Sequence, residues 1–291
     1  MARKKGIKFV TSKQRDANKM KRFILGFAAF LLVFAIVSVI YIFNAYHMSI
    51  SDFFPKEETT ETTDETLIQT AELSGEASFL LACSSDEKDS LYFVFVVFAD
   101  LDGKEIRVCP IASNTVCNVG GVQDSIAGHY RRNSERGLLN AVNSLCGFNI
   151  DRYAISTASQ FKNAVNVLDG AVVTVPQRIN HKSEDFNLSL MPGEQSIKGE
   201  SLLKYFRYLL KQGGGMQAQG ELLCTMISQY VSNSYLSAGR AYFSQVINEI
   251  SSNITIVDFS RTEPLLEAMA DSEISYITVN SVNELKPSQE Q

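Results

Sequence analysis

The sequence predicts an α/β fold, a central mixed β-sheet covered by helices and preceded by a single transmembrane helix. Three observations carry this. Leu91–Phe98 is apolar at every position, as a strand covered on both faces must be. Between Gly147 and Phe206 a helical pattern gives way to a strand and then to a second helix, which is the grammar of a sheet covered by helices. Finally, Phe23–Phe43 contains no charged residue and is about as long as a helix needs to be to cross a bilayer's hydrocarbon core.

The N-terminal 22 residues are strongly basic, from Arg3 to Arg22 with Asp16 as the single acid, so the net charge of −5 hides a marked asymmetry. Basic residues before the apolar run and acidic ones after it place residues 1–22 in the cytoplasm and the rest outside. No small-residue cleavage site follows Phe43, so 23–43 reads as an uncleaved signal anchor in the cell membrane, with the lipid bilayer as its first partner. Residues 44–77 are rich in Asp, Glu and Thr and read as an extracytoplasmic linker. The folded domain is expected over 78–285, with a polar tail at 286–291. Nucleic acid is not an expected partner, because topology explains the basic segment and the domain lies on the far side of the membrane.

Within the domain, Phe79–Ala82 is a short strand, and Leu91–Phe98 is joined through an Asp100–Gly103 turn to a partner strand at Glu105–Pro110. Leu138, Leu139, Val142 and Leu145 mark a helix over 134–145 with Ser134 as its cap. A second helix covers 160–168. Asp169 and Gly170 end it, and the β-branched run Ala171–Val175, stopped by Pro176, is expected in the core sheet. Pro192 and Gly193 form a turn, and Leu202, Leu203, Phe206 and Leu209 share one face of the helix that follows Gly199. Helices are then expected over 217–231, 241–250 and 263–270, and strands over 254–257 and 274–279.

The residues exclude several chemistries. His47, His129 and His181 are scattered without metal-ligand spacing, no phosphate-binding glycine loop ends in Lys, and no Gly-x-Ser-x-Gly elbow is present. The five cysteines form no Cys-x-x-Cys pair; Cys83, Cys109 and Cys146, set among apolar residues, read as small buried hydrophobes. Four polar clusters remain as candidates. Asp86 and Asp89 lie in the loop after the first strand, where an α/β protein holds a divalent cation and a phosphate group. Ser113 and Asn114 follow the third strand and can donate to an anion. Arg131, Arg132 and Arg136 form a basic patch able to clamp phosphate. Arg207 stands alone beside an apolar helix face; if buried there it should have an anionic partner, and otherwise its long stem can carry the charge to solvent.

The segments Gly147-x-x-Ile150-Asp151-x-Tyr153, Leu168-Asp169-Gly170-Ala171-Val172 through Pro176, Pro192-Gly193-Glu194-Gln195 with Gly199-Glu200, and Leu203-x-Tyr205-x-Arg207 together resemble the LytR-CpsA-Psr family. The resemblance runs from about Ser78 to Val231. It implies an extracytoplasmic domain that holds the polyprenyl chain of a lipid-linked precursor in an apolar tunnel and, with Mg2+ at the pyrophosphate, transfers the glycopolymer to peptidoglycan. Several charged positions of the family pattern are neutral here. Its Ile-Pro-Arg-Asp-Thr signature stands as Ile111, Ala112, Ser113, Asn114 and Thr115; Ser84 and Ser85 replace an expected Asp; Leu209 replaces the second Arg of a pair; and Met216–Glu221 lacks the Arg of a later element.

Three functional readings follow. In the first, the domain is a pseudoenzyme that binds a polyprenyl-phosphate or pyrophosphate precursor, a cell-wall glycan or a wall-assembly protein without transfer. In the second, an active magnesium-dependent phosphotransferase rebuilds its site from catalytic Asp86, Asp89 and Arg207, with both carboxylates on the metal and Ser113, Asn114, Arg131, Arg136 and Arg207 binding the anion. In the third, a regulatory domain has a solid core and no small ligand.

Overall fold

The computed structural model describes residues 73–286. The expected segments 1–22 and 23–43, and most of 44–77, lie outside them. Among the described residues no helix is long and apolar enough to cross a membrane.

The chain opens with β1 (Glu76–Ser84), β2 (Leu91–Asp100) and β3 (Glu105–Pro110). A hairpin, β4 (Val116–Val119) and β5 (Val122–Ser125), leads into α1 (Ile126–Cys146). Then come β6 (Arg152–Thr157), α2 (Ala158–Val167) and β7 (Ala171–Val175). A second hairpin, β8 (Ile179–Lys182) and β9 (Asn187–Leu190), precedes β10 (Gly193–Ile197), α3 (Gly199–Leu210) and α4 (Gly215–Tyr230). The last elements are α5 (Asn233–Leu236), α6 (Gly239–Ile247), β11 (Ser251–Ser252), α7 (Ile256–Ala270) and β12 (Ser275–Thr278).

Six strands form the central sheet in the order β11-β6-β1-β2-β3-β12. It is mixed: β1 runs parallel to β6 and β3 parallel to β12, while β2 is antiparallel to both β1 and β3. The two-residue period of β2 explains its continuous apolar run. Phe95 and Val97 pack with Leu202 and Phe206 of α3 on one face, and Val94, Val96 and Phe98 pack with Leu138 and Val142 of α1 on the other.

Three sequence expectations are corrected. Ala171–Val175 is a strand, but it pairs only with β10, in a ribbon outside the central sheet. Its buried Ala171, Val173 and Val175 join the core on the α3 face, so burial alone produced the apolar signature. Residues 254–257 are not a strand. Thr255 caps α7, accepting from Asp258 N at 3.2 Å while the Asp258 carboxylate accepts from Thr255 N at 2.9 Å. Ser134 does not begin α1 either. Ser125 does, its hydroxyl accepting from Gly128 N at 3.0 Å. Ser134, with φ 49° and ψ −137°, is the non-helical residue after which the second half of α1, the helix expected over 134–145, begins. The halves close tightly at that break: a Cβ on Gly137 would lie 2.1 Å from the His129 carbonyl oxygen, so only glycine fits.

Candidate functional site

Because β1, β3 and β6 all run in one direction, the loops after them gather at a single end of the sheet. The β1–β2 loop there is tied on two sides. The Asp86 carboxylate accepts from Ser159 N at 2.7 Å and from Ser159 Oγ at 2.8 Å, in the first turn of α2. These bonds, the backbone one first, hold its carboxyl below the ordinary value. Toward α1, Tyr130 OH donates to Ser84 Oγ at 3.1 Å and Lys88 pairs with Glu135 at 2.9 Å. Asp89 Oδ1 accepts from Ser85 Oγ at 2.6 Å, and this bond in turn lowers the Asp89 carboxyl.

The structure therefore places Asp86 and Asp89 in one loop but commits both to fixing its shape. Arg131 reaches the same loop, Nη1 lying 3.4 Å from the Asp89 carbonyl oxygen. Ser113 and Asn114 form the turn between β3 and β4, where the Ser113 carbonyl accepts from Ala127 N in α1 at 2.9 Å and Asn114 is exposed. Arg136 is exposed beyond the break in α1. Magnesium, which the family implies, is usually held by one or two carboxylates together with substrate phosphates and waters. Among the described residues no group of three or more His, Cys, Asp or Glu is arranged to hold a metal ion. The candidate carboxylates at this end of the sheet are Asp86 and Asp89, and each already accepts hydrogen bonds from a serine.

For Arg207 the condition of burial is only half met. It is half-buried in the last turn of α3, and among the described residues its guanidinium forms no ion pair or hydrogen bond. Its guanidinium carbon lies over two aromatic rings instead, 4.6 Å from the centroid of Tyr92 and 4.6 Å from that of Phe186. Tyr92 is where the elements meet. Burial raises its phenol, with Arg207 opposing and Cys83, Glu87 and Asp86 adding smaller effects, so the β1–β2 loop and Arg207 share one neighbourhood.

Next to that neighbourhood the core is hollow. An apolar cavity of about 230 Å³ lies between the sheet and helices α2, α3 and α4, lined by Phe93, Phe161, Ala164 and Phe206 among others. Phe93 and Phe206, whose rings lie 4.9 Å apart in the wall of this cavity, are the chain neighbours of Tyr92 and Arg207. A second apolar cavity of about 300 Å³ extends toward α6 and α7. Leu168, Ile227 and Tyr230 line both. An apolar void of only about 150 Å³ already admits a small hydrocarbon, so together these have room for a branched apolar chain and the core is not solid. Tyr230 stays at the junction because its hydroxyl donates to the Gly170 carbonyl at 3.0 Å.

Sequence reasoning missed Tyr92, Phe186 and Ser159. The aromatics were visible as residues, but nothing local signals that they meet Arg207. The cysteines follow expectation: Cys83, Cys109, Cys117 and Cys224 are buried, Cys146 is half-buried, and all are free thiols. Burial pushes Cys83 and Cys109 up to about 12 and Cys146 to about 11, which leaves them unreactive at neutral pH.

Solved structures share this architecture at low identity. TagV of B. subtilis superposes with a TM-score of 0.60 at 20% identity, covering 71% of this chain and 85% of that one. A protein from Eubacterium siraeum described as a transcription regulator gives 0.61 at 17%, covering 77% and 90%. TagT bound to LI-WTA gives 0.53 at 16%, covering 70% and 78%. Among curated proteins, none matches by sequence. The LytR_cpsA_psr family profile matches residues 94–289, more than half of the chain, and the protein belongs to that family.

Proposed function

We propose that this protein is a membrane-anchored, extracytoplasmic member of its family that binds a polyprenyl-phosphate-linked or pyrophosphate-linked wall precursor without transferring its glycan. The observation that carries this reading is an apolar cavity lined by Phe206 together with the next residue in the chain, Arg207, whose guanidinium N–H groups are not taken by any described protein partner. An apolar tail fits the first and an anionic headgroup the second. TagT, a structural relative, has been solved bound to LI-WTA, which supports a lipid-linked polymer as the ligand class.

Binding without transfer is the preferred form because transition-state charge at a pyrophosphate must be met by opposite charge already in place. At the positions that carry Arg and Asp in the family signature this chain has Ser113 and Asn114, and Asp86 and Asp89 are engaged by Ser159 and Ser85. The anchor at 23–43 and the outward orientation rest on the charge asymmetry of the sequence.

The test is binding of the purified full chain to polyprenyl pyrophosphate with and without Mg2+, followed by assay for loss of the pyrophosphate bond. Binding with no turnover is expected. Magnesium-dependent turnover would restore the phosphotransferase reading, and absence of binding would redirect the search to a protein partner.

A further inference from the structure

The β8–β9 hairpin has no part in the central sheet, yet its turn places Phe186 over Arg207. That turn is built to hold one shape. Ser183 Oγ lies 3.1 Å from the Phe186 carbonyl, to which it donates, and 3.3 Å from Phe186 N, and Ser183 N donates to the same carbonyl at 3.2 Å. Phe186 is itself buried at 6% exposure, with its ring 4.8 Å from that of His181, which lies 5.5 Å from the ring of Tyr208 on α3. Tyr92, on β2, supplies the other ring.

The charges are divided unevenly. Lys211 also approaches Phe186, at 5.1 Å, but its ammonium is paired with Asp185 at 2.8 Å. Arg207 has no such carboxylate among the described residues. A ring beneath a guanidinium attracts its charge without accepting any of its five N–H donors, so these contacts fix the group and leave its hydrogen-bonding capacity intact. A carboxylate partner would have fixed it and consumed that capacity.

We infer that Tyr92 and Phe186 are positioning residues that hold the Arg207 guanidinium ready for the phosphate groups of a lipid headgroup, with the β8–β9 hairpin strapping it in place. This rests on the reading that the site binds a lipid-linked phosphate and adds how the anion ligand is prepared. An unrestrained arginine must be ordered when the ligand arrives; one already held loses less freedom on binding.

The experiment compares polyprenyl pyrophosphate with the uncharged polyprenol of the same chain length, using the full chain in detergent and the variants Phe186→Leu, Phe186→Tyr and Tyr92→Leu. Leucine keeps apolar bulk and removes the ring. Phe186→Leu is expected to weaken pyrophosphate-lipid binding about tenfold, leave polyprenol binding unchanged, and be rescued by Phe186→Tyr. Equal loss for both lipids, or no loss for either, overturns the positioning role. If Phe186→Leu does not fold, Tyr92→Leu reads the second ring contact by the same comparison. A wild-type protein that binds polyprenol as well as the pyrophosphate lipid defeats the lipid-phosphate reading itself; a discriminating wild type with equally discriminating variants defeats only the aromatic clamp.

Discussion

Asp86 and Ser159 are 73 positions apart in sequence and are joined by two hydrogen bonds, at 2.7 and 2.8 Å, that pin the β1–β2 loop to the first turn of α2. The carboxylate there meets both a free helical N–H and the positive end of the helix. Asp86→Ala is expected to destabilise the fold by about 1 kcal/mol and to loosen the loop beside Tyr92. Denaturant unfolding and hydrogen exchange at residues 85–90 would check this. An unchanged loop would mean that its shape is held from the α1 side alone.

The cavity makes a separate prediction. Ala164 lines it from α2, and Ala164→Phe puts a ring into the void. Polyprenol binding is expected to fall at least tenfold while the melting temperature holds or rises, because the added carbons fill space instead of displacing packed atoms. Undiminished binding would place the lipid elsewhere.

Gly199 should be intolerant of any side chain. A Cβ there would lie 2.3 Å from the Lys162 carbonyl oxygen, which is backbone of α2 and cannot swing away. Gly199→Ala therefore has to separate α2 from α3, at a cost of about 1–3 kcal/mol. Soluble yield and the denaturation midpoint are the readouts.

Acid should act at the start of α7. Hydrogen bonds from Thr255 N, from the Thr255 hydroxyl and then from Arg152 draw the Asp258 carboxyl down to about 2, below its ordinary 3.8. A depressed folded-state pKa contributes stability that is fully present above the unfolded value and lost as pH falls through the folded one. The melting-temperature advantage of wild type over Asp258→Asn should thus be constant from pH 7 to pH 5 and shrink between pH 4 and pH 2. A gap independent of pH would show that the bonds survive protonation.

Much of the fold was legible because its signals are local. Leu91–Phe98 announces a strand buried on both faces, and the three-four spacing of Leu202, Leu203, Phe206 and Leu209 announces α3. The misreadings arose where one local signal outweighed another. Ile254 to Val257 is β-branched throughout, as a strand should be, but Thr255 and Asp258 stand three apart as a capping box, and the cap prevails. Ala171–Val175 shows that an apolar β-branched run reports burial without naming its partner strand.

The site was less legible for a related reason. Asp86, Asp89 and Arg207 could be singled out by charge and context, but their neighbours Ser159, Ser85, Tyr92 and Phe186 were not identified as their partners. For Arg207 the expectation of an anionic partner came from the cost of burying an unpaired charge. Half-burial against two rings meets that cost by another route.

The strand order carries a consequence for how the chain is made. Both outermost strands of the central sheet, β11 and β12, come from its last stretch, Ser251–Thr278. A polypeptide emerging N-terminus first assembles β6, β1, β2 and β3 while both flanks of that sheet still present unpaired N–H and C=O groups, a template for joining other chains. The last stretch pairs β3 through four residues of β12 and β6 through the two of β11, so a truncation before Ser251 would leave more unpaired backbone on both flanks and a sheet more prone to self-association.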